Sequence, residues 1–330
     1  MSETVSRGET APAIARQTRP PAGDAAVTAP VVAAPQGGQE ERRIAAFAAS
    51  ASFEATRLED GDVEALRAAF PGRTRVYVSA VPKRPLAAQV ETAAVLAAAG
   101  FEPVPHIPAR SLASAADLDR HLASLTERAG VQRVLVIGGD LASPAGPFFA
   151  ALEVIESGLL QARGIVEAGI AGYPEGHPRL ERAVLERAMV AKLEAAAGTG
   201  LAVHVVTQFC FSTPPILAFV ARLRDHGIDA PVRTGLAGPT TLSGLLRFAR
   251  LCGVSASAQG LVRHTGLARQ LFGMVTPDTV LRPLAEAGHI GIAPHIFPFG
   301  GLATAARWAG AAAAGRFTLD PDGGFTVAPP

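Results

Sequence analysis

A chain of 330 residues with 48% hydrophobic content can bury a sizeable core, as one large domain or two smaller ones. A formal net charge of +1, with no dense Lys/Arg cluster interleaved with aromatics, argues against a nucleic-acid partner. Its two cysteines, Cys210 and Cys252, give neither a metal-ligand spacing nor a disulfide framework, which fits a reducing cytoplasm.

Residues 1–42 are rich in Ala, Pro, Gly, Thr and Gln and have no apolar periodicity, so they read as a disordered tail. No basic segment followed by an apolar core marks a secretory signal. From there to residue 330, short β-rich runs alternate with Ala/Leu-rich helical stretches. The predicted strands are 51–54, 75–79, 102–106, 133–138, 166–173, 202–209, 232–236 and 293–297. Between them the pattern predicts helices over 86–99, 115–128, 180–197 and 215–226. Ser114 opens the second of these in a capping-box arrangement, with Asp117 in place of Glu or Gln. Residues 285–306 carry one formal charge, Glu286, but Pro294, Pro298, His289 and His295 argue against a membrane-spanning helix.

About eight strand–helix units predict a parallel (β/α)₈ TIM-type barrel over 43–330, preceded by the disordered tail. The competing doubly wound sheet lacks a Gly-rich dinucleotide fingerprint after its first strand. In a barrel of this kind the active site lies at the C-terminal strand ends. Polar residues fall there in unit after unit: Glu54, Ser79, His106, Asp140, Tyr173 with His177, and Gln208. The segment Tyr173-Pro174-Glu175-Gly176-His177-Pro178 is poor packing material, since its prolines cannot donate to a ladder and its polar rings need partners. It reads as the rim of a ligand site.

Each residue also has a structural alternative. Glu54 reads either as a partner of Arg57 or Arg73, or as a general acid whose pKa is raised by apolar neighbours. Asp140 follows Gly138 and Gly139, whose backbone can approach a ligand closely, but a helix cap or turn also explains it. His106, Tyr173 and His177 each suit a loop or turn, Gln208 suits a backbone hydrogen bond, and Lys192 suits a solvated helix face. His204, His226, His264, His289 and His295 show no recognisable spacing and read as structural. No HExxH, Walker A or GxSxG motif is present.

Together, Ser52-Phe53-Glu54, Pro105-His106, Gly139-Asp140-Leu141, the Tyr173–Pro178 motif, Lys192 and Thr207-Gln208-Phe209 resemble the methylenetetrahydrofolate reductase family of flavoprotein barrels. The resemblance implies an FAD-dependent enzyme interconverting 5,10-methylenetetrahydrofolate and 5-methyltetrahydrofolate, with NADH or NADPH as electron partner. It also implies roles. Glu54 corresponds to the general acid that assists opening of the five-membered ring, and Asp140 to the acidic residue near flavin and pterin. Gln208 corresponds to a residue contacting folate and nicotinamide in turn. Ser79 (a Thr in the family), His106, Gly139, Tyr173, His177 and Lys192 fall on flavin-binding positions, where Lys192 could neutralise a phosphate.

Three departures from the pattern stand out. Gly138 occupies the place of an Arg, Ala55-Thr56-Arg57-Leu58 replaces an aromatic-proline run, and Phe297-Pro298-Phe299-Gly300-Gly301 lacks a folate-contacting Arg. They point to a divergent paralogue, for instance in one-carbon catabolism. Two other readings stay open: a barrel methyltransferase passing the methyl of methyl-folate to a corrinoid, and a non-catalytic folate- or flavin-binding accessory protein. A homo-oligomer is equally open.

Overall fold

Parallel strands that are apolar on both faces need helices outside and side chains inside, and a closed barrel supplies both. The computed structural model describes residues 37–70, 72–81, 84–251, 274–321 and 323–328. The predicted tail lies outside these except for its last few positions, where helix α1 (Gln39–Ala49) already begins. Cys252 and His264 also lie outside them.

The barrel strands are β1 (Ser52–Ala55), β2 (Arg75–Val78), β3 (Glu102–Pro108), β4 (Arg133–Ile137), β5 (Glu167–Gly172), β6 (Ala202–Thr207), β7 (Val232–Ala237) and β10 (Ile292–Phe297). Each pairs in parallel with its neighbour, and β10 closes on β1. All eight predicted strands are present. The helices around them are α2 (Asp62–Ala69), α3 (Leu86–Ala98), α4 (Ala115–Ala129), α5 (Ala151–Glu156), α6 (Leu159–Ala162), α7 (Arg182–Gly198), α8 (Thr213–Asp225), α9 (Leu242–Leu251), α10 (Asp278–Glu286) and α11 (Leu302–Ala313). Two small antiparallel ribbons complete the described chain: β8 (Thr240–Thr241) with β9 (Met274–Val275), and β11 (Phe317–Leu319) with β12 (Phe325–Val327). None of the described helices is long and apolar enough to cross a membrane.

Strand parity sorts the side chains. Phe53, Val76, Val78, Ile107, Val134, Val136, Ala168, Ile170 and Val205 join the shell between strands and helices. Tyr77, Val104, Leu135 and Val206 form a separate cluster inside the barrel. Gly169 shares that interior, because a Cβ there would lie 2.7 Å from the His204 ring. The first residues of β2 to β5 are all charged and close the N-terminal mouth. Arg75 grips Glu167 with two bonds of 2.9 Å, and Arg133 reaches both Glu167 (2.6 Å) and Glu102. Burial pushes the Glu167 carboxyl up, but hydrogen bonds and charge from His204 and Arg75 outweigh it and hold the group well below its ordinary value.

Strand β3 runs two residues beyond its predicted end despite Pro103 and Pro105. Pro103 and Pro105 fall opposite Val76 and Val78 of β2, and the ladder with β4 begins at His106 and ends on a third proline, Pro108. Ser114 caps α4 by accepting from Asp117 N–H at 3.1 Å. The Asp117 side chain pairs with Arg120 rather than reaching back, so half of the expected box forms.

Candidate functional site

Two groups of polar residues occupy the C-terminal rim. The first surrounds Glu54. Barrel closure sets Ser52 of β1 opposite His295 of β10, and Glu54 opposite Tyr77 of β2. Glu54 is therefore surrounded by three other strands. Ser79 Oγ donates to one carboxylate oxygen, on which His106 Nε2 also closes to 3.2 Å. The other oxygen lies 3.2 Å from His295 Nε2, whose Nδ1 is 3.0 Å from Ser52 Oγ. From outside the barrel, Gln89 of α3 donates to Val78 O (2.8 Å) and His106 O (3.0 Å) and so clamps the strand ends that carry Ser79 and His106. His121 of α4 holds the Gln89 amide oxygen at 2.9 Å. Burial pushes the His121 pKa down to about 4, so it is neutral at neutral pH.

This environment corrects one expectation. Glu54 is not paired with Arg57, which meets Glu59 instead. Burial does raise its pKa, but His106 and His295 outweigh that effect through charge and hydrogen bonding. They hold the carboxyl well below its ordinary value. Burial keeps His295 itself on the neutral side of its usual range despite Glu54. Without ligand, Glu54 is a carboxylate, not a standing acid.

The second group lines a cavity of about 520 Å³ between the ends of β4 and β5 and the inner face of α7. That is within the range of about 300–1,000 Å³ usual for cofactor and small-molecule sites. Gly138, Gly139, Asp140, Tyr173, His177 and Lys192 all face it. Helix α7 has only Met189 and Ala196 fully buried along its length, because Leu185, Met189 and Lys192 form a stripe over the cavity rather than over packed side chains. Gly139 has φ +88°, and a Cβ on it would press Pro108 at 3.3 Å, so the turn requires glycine. A Cβ at Gly138 meets nothing within 4 Å.

Tyr173 and His177 meet edge to face at 5.1 Å, and His177 Nδ1 accepts from Arg179 N–H at 3.2 Å, so the pair both pins the turn and walls the cavity. Burial and the Asp140 charge raise the Tyr173 pKa. Asp140 caps no helix, the next one starting at Ala151. Lys192 is partly buried rather than solvated. Burial pushes its ammonium down to about 8, and no carboxylate among the described residues pairs with it.

Gln208 follows β6, with its N–H on Gly172 O at 2.9 Å and its side-chain oxygen on Phe209 N–H at 3.0 Å. It shares the rim but not the cavity wall, as do Glu54, Ser79 and His106. Beside it, Phe209, Phe211, Ala237, Leu245 and Ala249 form an apolar cluster against which Phe297 and Phe299 pack.

Two histidines read as structural from the sequence lie on the barrel axis. His295 contacts Glu54, and His204 bridges Tyr77 Oη (2.6 Å) to Glu167 (2.6 Å). Burial raises the Tyr77 phenol to about 12. The available signal was parity: His204 is in phase with Gln208 along β6, and His295 sits in a strand whose neighbours Ile292 and Ile296 face outward.

The family model described as methylenetetrahydrofolate reductase matches residues 81–263. Glu54 lies N-terminal to that stretch. The probable methylenetetrahydrofolate reductase (NADH) of Oryza sativa subsp. japonica is 27% identical over 145 residues, which are 39% of this chain and 24% of the rice protein. Methylenetetrahydrofolate reductase (NADH) 1 of Arabidopsis thaliana is 28% identical over the same shares. The match thus spans about a quarter of the length of these plant relatives. Among solved structures, a sialic acid aldolase of Ruminococcus gnavus matches 56% of this chain and 61% of its own at 12% identity, with a TM-score of 0.36.

Proposed function

The chain belongs to the methylenetetrahydrofolate reductase family, and on that premise we propose that it is an FAD-dependent oxidoreductase interconverting 5,10-methylenetetrahydrofolate and 5-methyltetrahydrofolate. The observation that most supports this reading is Glu54, held by Ser79, His106 and His295 on the same rim as a cofactor-sized cavity. The residues lining that cavity suit a flavin dinucleotide. Tyr173 and His177 offer ring walls, Gly139 allows close backbone approach, and Lys192, Arg179 and Arg182 bring cationic side chains that suit a diphosphate. When bound, the flavin supplies hydride exchange between NADH or NADPH and the folate one-carbon unit.

The protein's own part in the reaction is proton handling and orientation. In reduction, ring opening needs a proton at N10 of the folate, delivered through Glu54. In oxidation, ring closure releases that proton and needs a base. The ionised state of Glu54 in the free site is the base form. The resting site is therefore set for oxidation of 5-methyltetrahydrofolate, which suits a paralogue serving one-carbon catabolism. Gln208 and Asp140 orient the pterin, and the Phe297–Phe299 wall takes the place of a cationic grip on the folate tail.

Steady-state assays of the flavin-loaded protein in both directions test this proposal. Oxidation of 5-methyltetrahydrofolate should be lost only where acid protonates Glu54, and reduction of the methylene form should fall as pH rises. Methyl transfer to a reduced corrinoid with no redox turnover would instead support the methyltransferase reading.

Lys192 gives a separate prediction. Its pKa falls from an ordinary 10.5 to about 8. Below about 8 both folded and unfolded chains carry the proton, and the folded state bears the burial cost. Between about 8 and 10.5 the folded chain sheds the proton first, so stability rises with pH across that window. An anionic dinucleotide restores the charge, and its binding above pH 8 should take up a proton. Calorimetric titration in buffers of different ionisation heat should show this uptake in the wild type and lose it in Lys192→Met. Equal uptake in both would exclude Lys192 as the diphosphate partner.

A further inference from the structure

Arg233 of β7 is a cation inside the barrel that the rim chemistry does not use. Val232 and Leu236 of the same strand belong to the outer shell, so Arg233 points inward, toward the N-terminal mouth and away from the catalytic rim. We propose that this mouth binds one small monovalent anion, of the size of chloride, on the guanidinium of Arg233.

The mouth runs out of acceptors before it reaches Arg233. Both oxygens of Glu102 are taken, one by Arg75 Nε at 3.4 Å and the other by Arg133 Nη1. On Glu167, Oε1 meets Arg75 Nη1 at 2.9 Å and His204 Nδ1 at 2.6 Å. Its Oε2 meets Arg75 Nη2 at 2.9 Å and Arg133 Nε at 2.6 Å. Tyr77 Oη is engaged with His204 Nε2 at 2.6 Å. Strand register sets Arg233 level with Val206 of β6 and Ala293 of β10, whose side chains carry no acceptor. Arg233 Nη1 is accordingly buried with no hydrogen-bond partner, and Arg233 forms no ion pair among the described residues.

Charge points the same way. Arg75, Arg133 and Arg233 stand against Glu102 and Glu167, and burial keeps His204 on the neutral side of its usual range. The mouth therefore carries an unbalanced positive charge. Burial opposes the charged form of Arg75 too, but hydrogen bonds and charge from Glu167 outweigh it and raise the pKa. At Arg233 burial wins and the pKa falls, since Glu167 and Glu102 act on it only by charge and Arg75 repels it. A guanidinium taken out of water without a counter-charge costs stability until an anion supplies one.

The surroundings also set the class of ion. Guanidinium N–H groups suit a halide or a planar monoanion through charge-assisted hydrogen bonds. A dianion brings a second charge, which Glu102 and Glu167 repel at close range. Arg233 and Ala293 keep part of their surface in contact with solvent, so the ion reaches the guanidinium without opening the barrel.

The test uses the full chain, wild type and Arg233→Met, in sodium chloride or sodium gluconate at one ionic strength, gluconate being too bulky to enter. With the wild type, the ³⁵Cl resonance should broaden through a component that formate or nitrate displaces, and that sulfate displaces less well. Chloride at about ten times its dissociation constant should raise the folding equilibrium constant about tenfold over gluconate, read from denaturant midpoints. Arg233→Met feels the general effect of salt alike but should lose both of these responses. In gluconate it should be at least as stable as the wild type, because the change removes a buried charge and breaks no bond. Wild-type and variant midpoints that respond equally to chloride would overturn the proposal. So would a displaceable ³⁵Cl signal that survives in Arg233→Met, or one that sulfate displaces better than formate. Should Arg233→Met not fold, Arg233→Gln carries the same comparison.

Discussion

Glu54→Gln should fold as the wild type does, keep its flavin affinity, and lose folate turnover by about two orders of magnitude or more, the usual cost of removing a general acid–base. Glutamine fits the same space and can still meet Ser79 and the two imidazoles. It cannot take or give the proton at N10. The lining of the cavity does not include Glu54, so cofactor affinity should be unaffected. Binding and turnover measured on the same preparation separate the two effects. Near-wild-type turnover in this variant would remove Glu54 from the chemistry.

Gly235→Ala should produce a large loss of stability at the rim. A Cβ on Gly235 would sit 2.5 Å from Thr207 O and 2.8 Å from Gln208 C and Phe209 N, all of them backbone atoms of the neighbouring strand end. The Gly235 N–H also donates to Thr207 Oγ1 at 2.8 Å, and Cys210 N–H donates to Gly235 O at 3.2 Å. The end of β6 must therefore shift, at a cost of about 1–3 kcal/mol. Gln208 moves with it, so folate affinity should fall as well. Gly138→Ala is the control, because its Cβ meets nothing within 4 Å. Denaturant midpoints that are alike for the two variants would show that the β6–β7 contact relaxes freely.

The barrel was legible because about eight short β-rich runs alternate with helical stretches, and six of those runs lead into polar residues, as a site at one end of the strands requires. The same pattern named Glu54, Ser79, His106, Asp140, Tyr173 and Gln208 as rim residues. What surrounds Glu54 was not legible. His295 lies more than 240 positions from Ser52 and Glu54, and only closure of β10 on β1 brings them together. For the same reason the direction of the Glu54 shift was misread, since nothing local to Ser52-Phe53-Glu54 announces two imidazoles. Helices α1, α2, α5, α6, α9, α10 and α11 were not among the predicted segments. In α11 the buried side includes Ala305, Ala306, Ala309 and Ala312, and Gly310 lets it approach Ala69 closely. Lys192 was placed on a helix correctly, but its half-buried setting depends on α7 standing off the barrel over the cavity.

The central claim is that this rim oxidises and reduces a folate one-carbon unit through a flavin, with Glu54 handling the proton. Its most direct test is a single half-reaction, in which FAD-loaded protein is mixed anaerobically with 5-methyltetrahydrofolate at neutral pH. The account predicts loss of the oxidised flavin absorbance together with appearance of 5,10-methylenetetrahydrofolate, fast in the wild type and at least about a hundredfold slower in Glu54→Gln. An oxidised flavin spectrum that persists while 5-methyltetrahydrofolate is bound would contradict it.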